Sequence, residues 1–139
     1  MLAKELEQKL MSTAIEYRKR SYSPYSGFQV GAALLSADGE IFGGCNIESA
    51  SFSPTNCAER TAIFKAVYDG HRAFTAIAVC GGKDGEIAGG FPPCGVCRQV
   101  MREFCDLDFK IYMIRPDGYE EVTLAQLLPY SFSNADMQA

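Results

Sequence analysis

A chain of 139 residues that is 47% hydrophobic and 22% charged has the length of one ordinary domain and enough apolar surface for a core, which excludes intrinsic disorder. No apolar run approaches the roughly 20 residues that span a bilayer, and Met1-Leu2-Ala3-Lys4-Glu5 enters mixed charge at once, unlike a signal peptide. The net charge of −4 argues against nucleic acid, whose binders carry a basic footprint. The expectation is a soluble, cytoplasmic single domain over residues 1–139, with no membrane or nucleic-acid partner and a small polar substrate.

Leu2, Leu6, Leu10, Ala14 and Tyr17 recur at helical spacing, so residues 1–20 predict an amphipathic helix ending in Arg18-Lys19-Arg20, where cations suit the helix dipole. The breaker cluster Ser21 to Gly27 follows. Two strands, Phe28 to Leu35 and Glu40 to Asn46, are then joined through Ala37-Asp38-Gly39 as a hairpin. Residues 49–56 are small and polar and carry Pro54, which predicts a loop. A second helix starts near Cys57, with Asn56 as its cap, Ala62, Ile63, Ala66 and Val67 as its apolar stripe and Gly70 at its end. Phe74 to Cys80 has the length of a buried strand, and the glycine-rich stretch 81–90 predicts a loop. A third helix opens around Cys94 with Val100, Met101 and Phe104 inward. Phe109 to Ile114 is a strand, Pro116-Asp117-Gly118 a turn, and Glu120 to Val122 a short strand. Thr123-Leu124-Ala125-Gln126 has the spacing of a capping box on a last short helix. Strands alternating with helices predict an α/β fold, a three-layer α/β/α sandwich, and the early hairpin makes its five-stranded sheet mixed.

Six cysteines punctuate this pattern. Cys80 and Cys105 lie in apolar runs and read as buried thiols, and Cys45 as a packed thiol in a strand. His71, just past Gly70, reads as a surface residue. Cys94-Gly95-Val96-Cys97 admits three readings: a redox pair, half of a zinc site, or chance. Pro93 places both thiols at a helix start, where the dipole favours thiolate. Cys57 stands at another helix start. If the two helices share a sheet face, three thiolates converge, and three protein ligands plus water make a catalytic zinc site. Arg60, one turn beyond Cys57, would offset the surplus negative charge. Glu59 is either a carboxylate that moves protons beside the metal or, with Asn56, half of a capping box.

Cys57-Ala58-Glu59 followed by Pro93-Cys94-Gly95-Val96-Cys97 matches the signature of zinc-dependent nucleobase deaminases. With cysteine in the first position the chain resembles the small, three-cysteine cytidine deaminases. The resemblance extends through Tyr22-Ser23-Pro24-Tyr25-Ser26-Gly27-Phe28-Gln29-Val30-Gly31-Ala32-Ala33, Gly44-Cys45-Asn46-Ile47-Glu48, Asn56 to Ala62, and Leu127-Leu128-Pro129 with Phe132.

That resemblance implies one Zn2+ per subunit on Cys57, Cys94 and Cys97, with a hydroxide in the fourth position that attacks C4 of the cytosine ring. It implies that Glu59 shuttles protons to N3 and the departing amino group, that backbone N–H groups near Ala58 and Glu59 bind the 2-oxo group, and that Phe28 packs on the pyrimidine. Asn46 and Glu48 match the pair that binds the ribose hydroxyls. Phe132 matches an aromatic that reaches a neighbouring subunit's site, which implies a homotetramer with shared active sites. The activity implied is hydrolytic deamination of cytidine and 2′-deoxycytidine in pyrimidine salvage. The alternatives are a deaminase of a modified aminopyrimidine nucleoside such as blasticidin S, and a non-catalytic zinc-stabilised binding protein. The chain departs from the family pattern at Phe52, where many relatives have tyrosine, and in the long stretch 81–90.

Overall fold

Period-2 alternation along the strands loads both faces of a single sheet. The structure, a computed structural model, describes residues 2–138. Helix α1 (Lys4–Tyr17) precedes a 3-10 turn (Arg18–Arg20) and the strands β1 (Phe28–Ser36) and β2 (Ile41–Cys45). Helix α2 (Ala58–Tyr68), β3 (Phe74–Lys83), α3 (Gly95–Phe104), β4 (Lys110–Arg115), β5 (Gly118–Thr123) and the short α4 (Leu124–Leu127) follow. The strand order is β2-β1-β3-β4-β5, with β3 and β4 parallel and every other pair antiparallel. This is the expected mixed five-stranded sheet.

On one face Val30, Ala32 and Leu34 of β1, Ile77 and Val79 of β3, and Ile111 and Met113 of β4 meet Ala62, Ile63 and Ala66 of α2 and Met101 of α3. The intervening residues Ala33, Leu35, Ala76, Ala78, Cys80, Tyr112 and Ile114 face the other way, against Leu10 and Ala14 of α1. The helices therefore make two layers with the sheet between them.

Topology decides where the site forms. Helix α2 leads by a short connection into β3, and α3 leads by another into β4. Each helix runs back against its strand, and the two strands are parallel. The N-termini of α2 and α3 therefore lie side by side at the carboxyl ends of β3 and β4, the usual ligand edge of open α/β sheets.

Adjacent glycines at the edge of the sheet let helices approach from both sides. A Cβ on Gly43 would fall 1.5 Å from the Tyr17 ring on the α1 side, and one on Gly44 would fall 2.3 Å from the Ala58 carbonyl of α2. Neither position needs an unusual backbone angle; both need the missing side chain.

Several expectations change in detail. The first helix ends as α-helix at Tyr17, and the three basic residues continue as a 3-10 turn. Strand β3 runs three residues beyond Cys80, because Gly81 and Gly82 pair through their backbones with Val30 and Gln29 of β1; a glycine run shows no side-chain periodicity, yet it can still join a ladder. Asn56 does not cap α2: Cys57 is the N-cap residue with no side-chain cap bond, and the Asn56 amide donates to the Thr61 hydroxyl at 3.2 Å. Of the inward residues on α3, Met101 is fully buried while Val100 and Phe104 are only partly covered. His71 is largely covered rather than a free surface residue, with Nε2 2.9 Å from Glu40 and its ring edge-on to Phe42. The capping box at Thr123 and Gln126 forms as expected. Cys80 and Cys105 are buried. Among the described residues no helix is long and apolar enough to cross a membrane.

Gly44→Ala drives a methyl group into the backbone of α2. Its expected cost, typical of overpacking, is about 2 kcal/mol in urea unfolding, and a variant as stable as wild type would show that α2 can retreat without loss.

Candidate functional site

Residues 46–57 are folded so that three chemical groups end up in one place. Ile47 forms bridges to both Tyr22 and Asn56, with Ile47 N–H donating to the Asn56 carbonyl at 2.9 Å and Asn56 N–H returning the bond at 2.8 Å. The polar excursion from Ser49 to Thr55 thus closes on itself, and the chain enters α2 beside the end of β2. The Asn46 side chain, 8% exposed, accepts from Val30 N–H at 2.9 Å and donates to the Phe28 carbonyl at 2.8 Å. These bonds fix its orientation and leave one amide hydrogen and one lone pair uncommitted. Glu48 accepts from the backbone N–H groups of Tyr25 and Ser26 at 2.9 and 3.1 Å and from the Ser26 hydroxyl. The Ser26 hydroxyl, with those amides, holds its carboxyl below its ordinary range.

The three sulfurs of Cys57, Cys94 and Cys97 lie within 4.8 Å of one another. Cys57 is the N-cap residue of α2, Cys94 is that of α3, and Cys97 lies in the first turn of α3. The Cys57 and Cys94 sulfurs are 3.7 Å apart, and those of Cys94 and Cys97 are 3.5 Å apart. Sulfurs this close and aimed at two positive helix ends cannot all ionise without a cation. Hydrogen bonding to Cys97, with the Arg60 guanidinium, brings the Cys57 thiol down to about 5, while the same contact and burial push the Cys97 thiol up. Arg60 donates through Nη2 to the Cys57 sulfur at 3.3 Å, and its Nε is buried without a partner among the described residues. A divalent ion fits this donor set, because it replaces the thiol protons and leaves every sulfur ionised. Among the described residues the group contains no fourth ligand; Cys45, whose sulfur donates to the Arg20 carbonyl at 3.3 Å, is bonded elsewhere. Such an arrangement keeps an open coordination position.

Glu59 is 3% exposed on the first turn of α2. Burial pushes its carboxyl up to about 7, and the neighbouring Cys57 thiolate adds to the effect. A buried carboxyl whose burial outweighs the pull of the nearby Arg60 charge stabilises nothing by itself, and such groups mark sites of chemistry. The N–H groups of Ala58 and Glu59 lie in the same turn, where no carbonyl within the helix can accept from them.

These groups surround a cleft of about 330 Å3, within the size range of small-molecule sites. Cys57, Ala58, Glu59 and Cys94 line it, with Phe28, Asn46 and Glu48 on the side of β1 and β2. Thr55, Asn56, Phe91 and Pro92 also line it and are not among the site residues expected from the sequence; their nearness to Cys57 and Cys94 along the chain was the available signal. Phe132 is not in the cleft of its own chain. It is 58% exposed, and its carbonyl accepts from Gln99 of α3 at 2.8 Å.

Residues 4–113 match the family model described as the cytidine and deoxycytidylate deaminase zinc-binding region. The cytidine deaminase of Sporosarcina psychrophila is 50% identical over 131 residues, 94% of this chain and 93% of that protein. The cytidine deaminase of Halalkalibacterium halodurans is 50% identical over 131 residues, 94% of this chain and 96% of the relative. The crystal structure of cytidine deaminase from Burkholderia pseudomallei superposes with a TM-score of 0.82 at 42% identity, covering 90% of this chain and 98% of the other. The triad of Cys57, Cys94 and Cys97 is thus a zinc-binding set.

The purified protein is expected to carry about one zinc ion per chain. Cys57→Ala, Cys94→Ala and Cys97→Ala should each lose most of it, as measured by atomic emission; full zinc content in all three would place the ion elsewhere.

Proposed function

The chain belongs to the cytidine and deoxycytidylate deaminase zinc-binding family, and we propose that it hydrolyses cytidine and 2′-deoxycytidine to uridine and 2′-deoxyuridine with release of ammonia. The observation that carries this reading is the buried Glu59 carboxyl in a cleft also lined by two of the three metal-binding cysteines. Zinc, when bound, supplies Lewis-acid activation of water at neutral pH. Glu59 takes the proton that this water gives up and delivers it to ring N3, then assists the departure of the 4-amino group as ammonia. Water's oxygen is retained at C4, so substrate plus water balances product plus ammonia.

The other residues bind and orient. The Ala58 and Glu59 N–H groups meet the 2-oxo group at the start of α2, where acceptors are favoured. Phe28 packs on the pyrimidine. The ionised Glu48 accepts from a ribose hydroxyl, and Asn46 offers its uncommitted hydrogen and lone pair to the same side of the sugar. Arg60 offsets the surplus charge of three thiolates, keeping the centre electrophilic.

The 139 residues act as one catalytic domain, in the cytoplasm, as a homotetramer. The exposure of Phe132 outside its own cleft, and that of Phe52 at 68%, supports a site completed across a subunit boundary. Phe52 takes a left-handed backbone angle, φ 63°, which is costly for an aromatic residue that stays largely exposed with its ring edge-on to Tyr25 at 6.1 Å. Here it stands where many relatives have tyrosine, so the hydroxyl is replaced by an apolar edge near the sugar.

Cytidine absorbance followed in the ultraviolet tests the reaction. The wild type should consume the band, and Glu59→Gln should be slower by at least about a thousandfold with its zinc retained. Turnover by Glu59→Gln at the wild-type rate would remove Glu59 from the mechanism. No turnover by zinc-loaded wild type would shift the substrate to a modified aminopyrimidine nucleoside or the protein to a non-catalytic role. Light scattering should report about four times the mass of one chain, and Phe132→Ala should raise the KM for cytidine; a monomer with full activity would overturn the shared site.

A further inference from the structure

The segment that joins β3 to α3 is not accounted for by the zinc centre alone. It folds back on the end of β3: Glu86 N–H donates to the Lys83 carbonyl and Ala88 N–H to the Gly81 carbonyl, each at 2.8 Å. Arg18, the first residue of the 3-10 turn after α1, donates through Nη1 to the Glu86 carbonyl at 3.0 Å and through Nη2 to the Gly85 carbonyl at 2.9 Å. The connection is therefore tied at several backbone points before it reaches Phe91. Beyond Phe91 come Pro92 and Pro93, whose fixed φ angles limit the freedom of the backbone, and then the metal-binding Cys94.

Phe91 lines the cleft. Its ring lies 5.7 Å from that of Phe28, tilted by 45°, an ordinary geometry for an aromatic pair. Lys83 places Nζ 4.8 Å from the centre of the Phe28 ring, so two residues from β3 and the following connection brace Phe28. Room for the Phe91 ring exists because residue 81 is glycine. A Cβ there would fall 2.7 to 2.8 Å from three atoms of the ring, and Gly81 sits inside a paired strand that cannot step aside.

We infer that Phe91 is a second aromatic wall of the base subsite, and that Gly81 is the positioning residue that seats it. This rests on the nucleoside reading of the cleft. Phe28 and Phe91 together present an angled aromatic corner to a flat heterocycle. The glycine in β3 couples the depth of that corner to the sheet, and the connection after β3 thereby serves substrate binding as well as metal binding.

Steady-state kinetics on cytidine, with competitive inhibition by uridine and zinc content measured in parallel, tests the inference on wild type, Phe91→Ala, Phe91→Tyr, Gly81→Ala and the double variant. Phe91→Ala should raise KM and the Ki of uridine together by about tenfold, with kcat within about twofold and zinc retained, while Phe91→Tyr should restore most of the affinity. Gly81→Ala should raise KM in the wild-type background and do nothing further in the Phe91→Ala background, because the ring it strikes is gone. Unchanged KM and Ki in Phe91→Ala, or an equal effect of Gly81→Ala in both backgrounds, overturns the inference while leaving the deaminase reading intact. A zinc-loaded wild type with no turnover and no uridine binding overturns the nucleoside reading, and the base subsite with it.

Discussion

The convergence of two helix N-termini on three sulfurs is the constraint on which the rest of the structure depends. Each helix end carries unpaired N–H groups and a partial positive charge, and thiolates are the groups that such ends favour. Cys57 and Cys94 occupy the two cap positions and Cys97 the adjoining turn, so the sulfurs are gathered by the helices and not by loops. Parallel pairing of β3 with β4 forces those ends to the same edge of the sheet. A change in strand direction would separate the ligands by the length of a helix.

Close approach of α2 to the sheet is the second requirement, and it is met by removing side chains. The run Gly43-Gly44 gives one glycine to each face, since neighbouring strand residues point in opposite directions. Gly44 lets the first turn of α2 lie against β2, which brings Ala58 and Glu59 down beside the Asn46 and Glu48 segment. Polar groups are then placed under tension that a structural core would avoid. Glu59 is buried, three sulfurs crowd together, and among the described residues the Arg60 Nε has no partner. Departures of this kind from local satisfaction are expected where binding and chemistry supply the missing partners.

The elements were largely legible because most carry their own punctuation. Strands β1 and β4 show continuous apolar runs, and α4 announces itself through the Thr123 and Gln126 box. Legibility failed where backbone rather than side chains does the bonding. Gly81 and Gly82 look like loop because glycine has no face to display, yet their amides complete the ladder with β1. Asn56 has the type and spacing of a cap, but Ile47 claims its backbone and Thr61 its side chain, a competition visible only after residues 46–57 have folded back. His71 shows the same limit: its partners Asp38 and Glu40 lie in the hairpin turn, far away along the chain.

The zinc ligands could be read from residue type and spacing, and the family from the resemblance those motifs carry, because chemistry of this kind demands particular atoms at helix starts. The sequence by itself also determined a mixed α/β sandwich, through periodicity and the hairpin. Only the tertiary structure decided that Phe91 lines the cleft beside Phe28, that Asn46 is held by β1 while facing the cleft, and that Phe132 stands outside the cleft of its own chain. Those facts depend on contacts between residues distant in the chain, and the physical reason is steric. Where Gly81 meets Phe91 and Gly44 meets α2, the absence of a single Cβ sets the position of a ring and a helix, and no local pattern records what an absent atom makes room for.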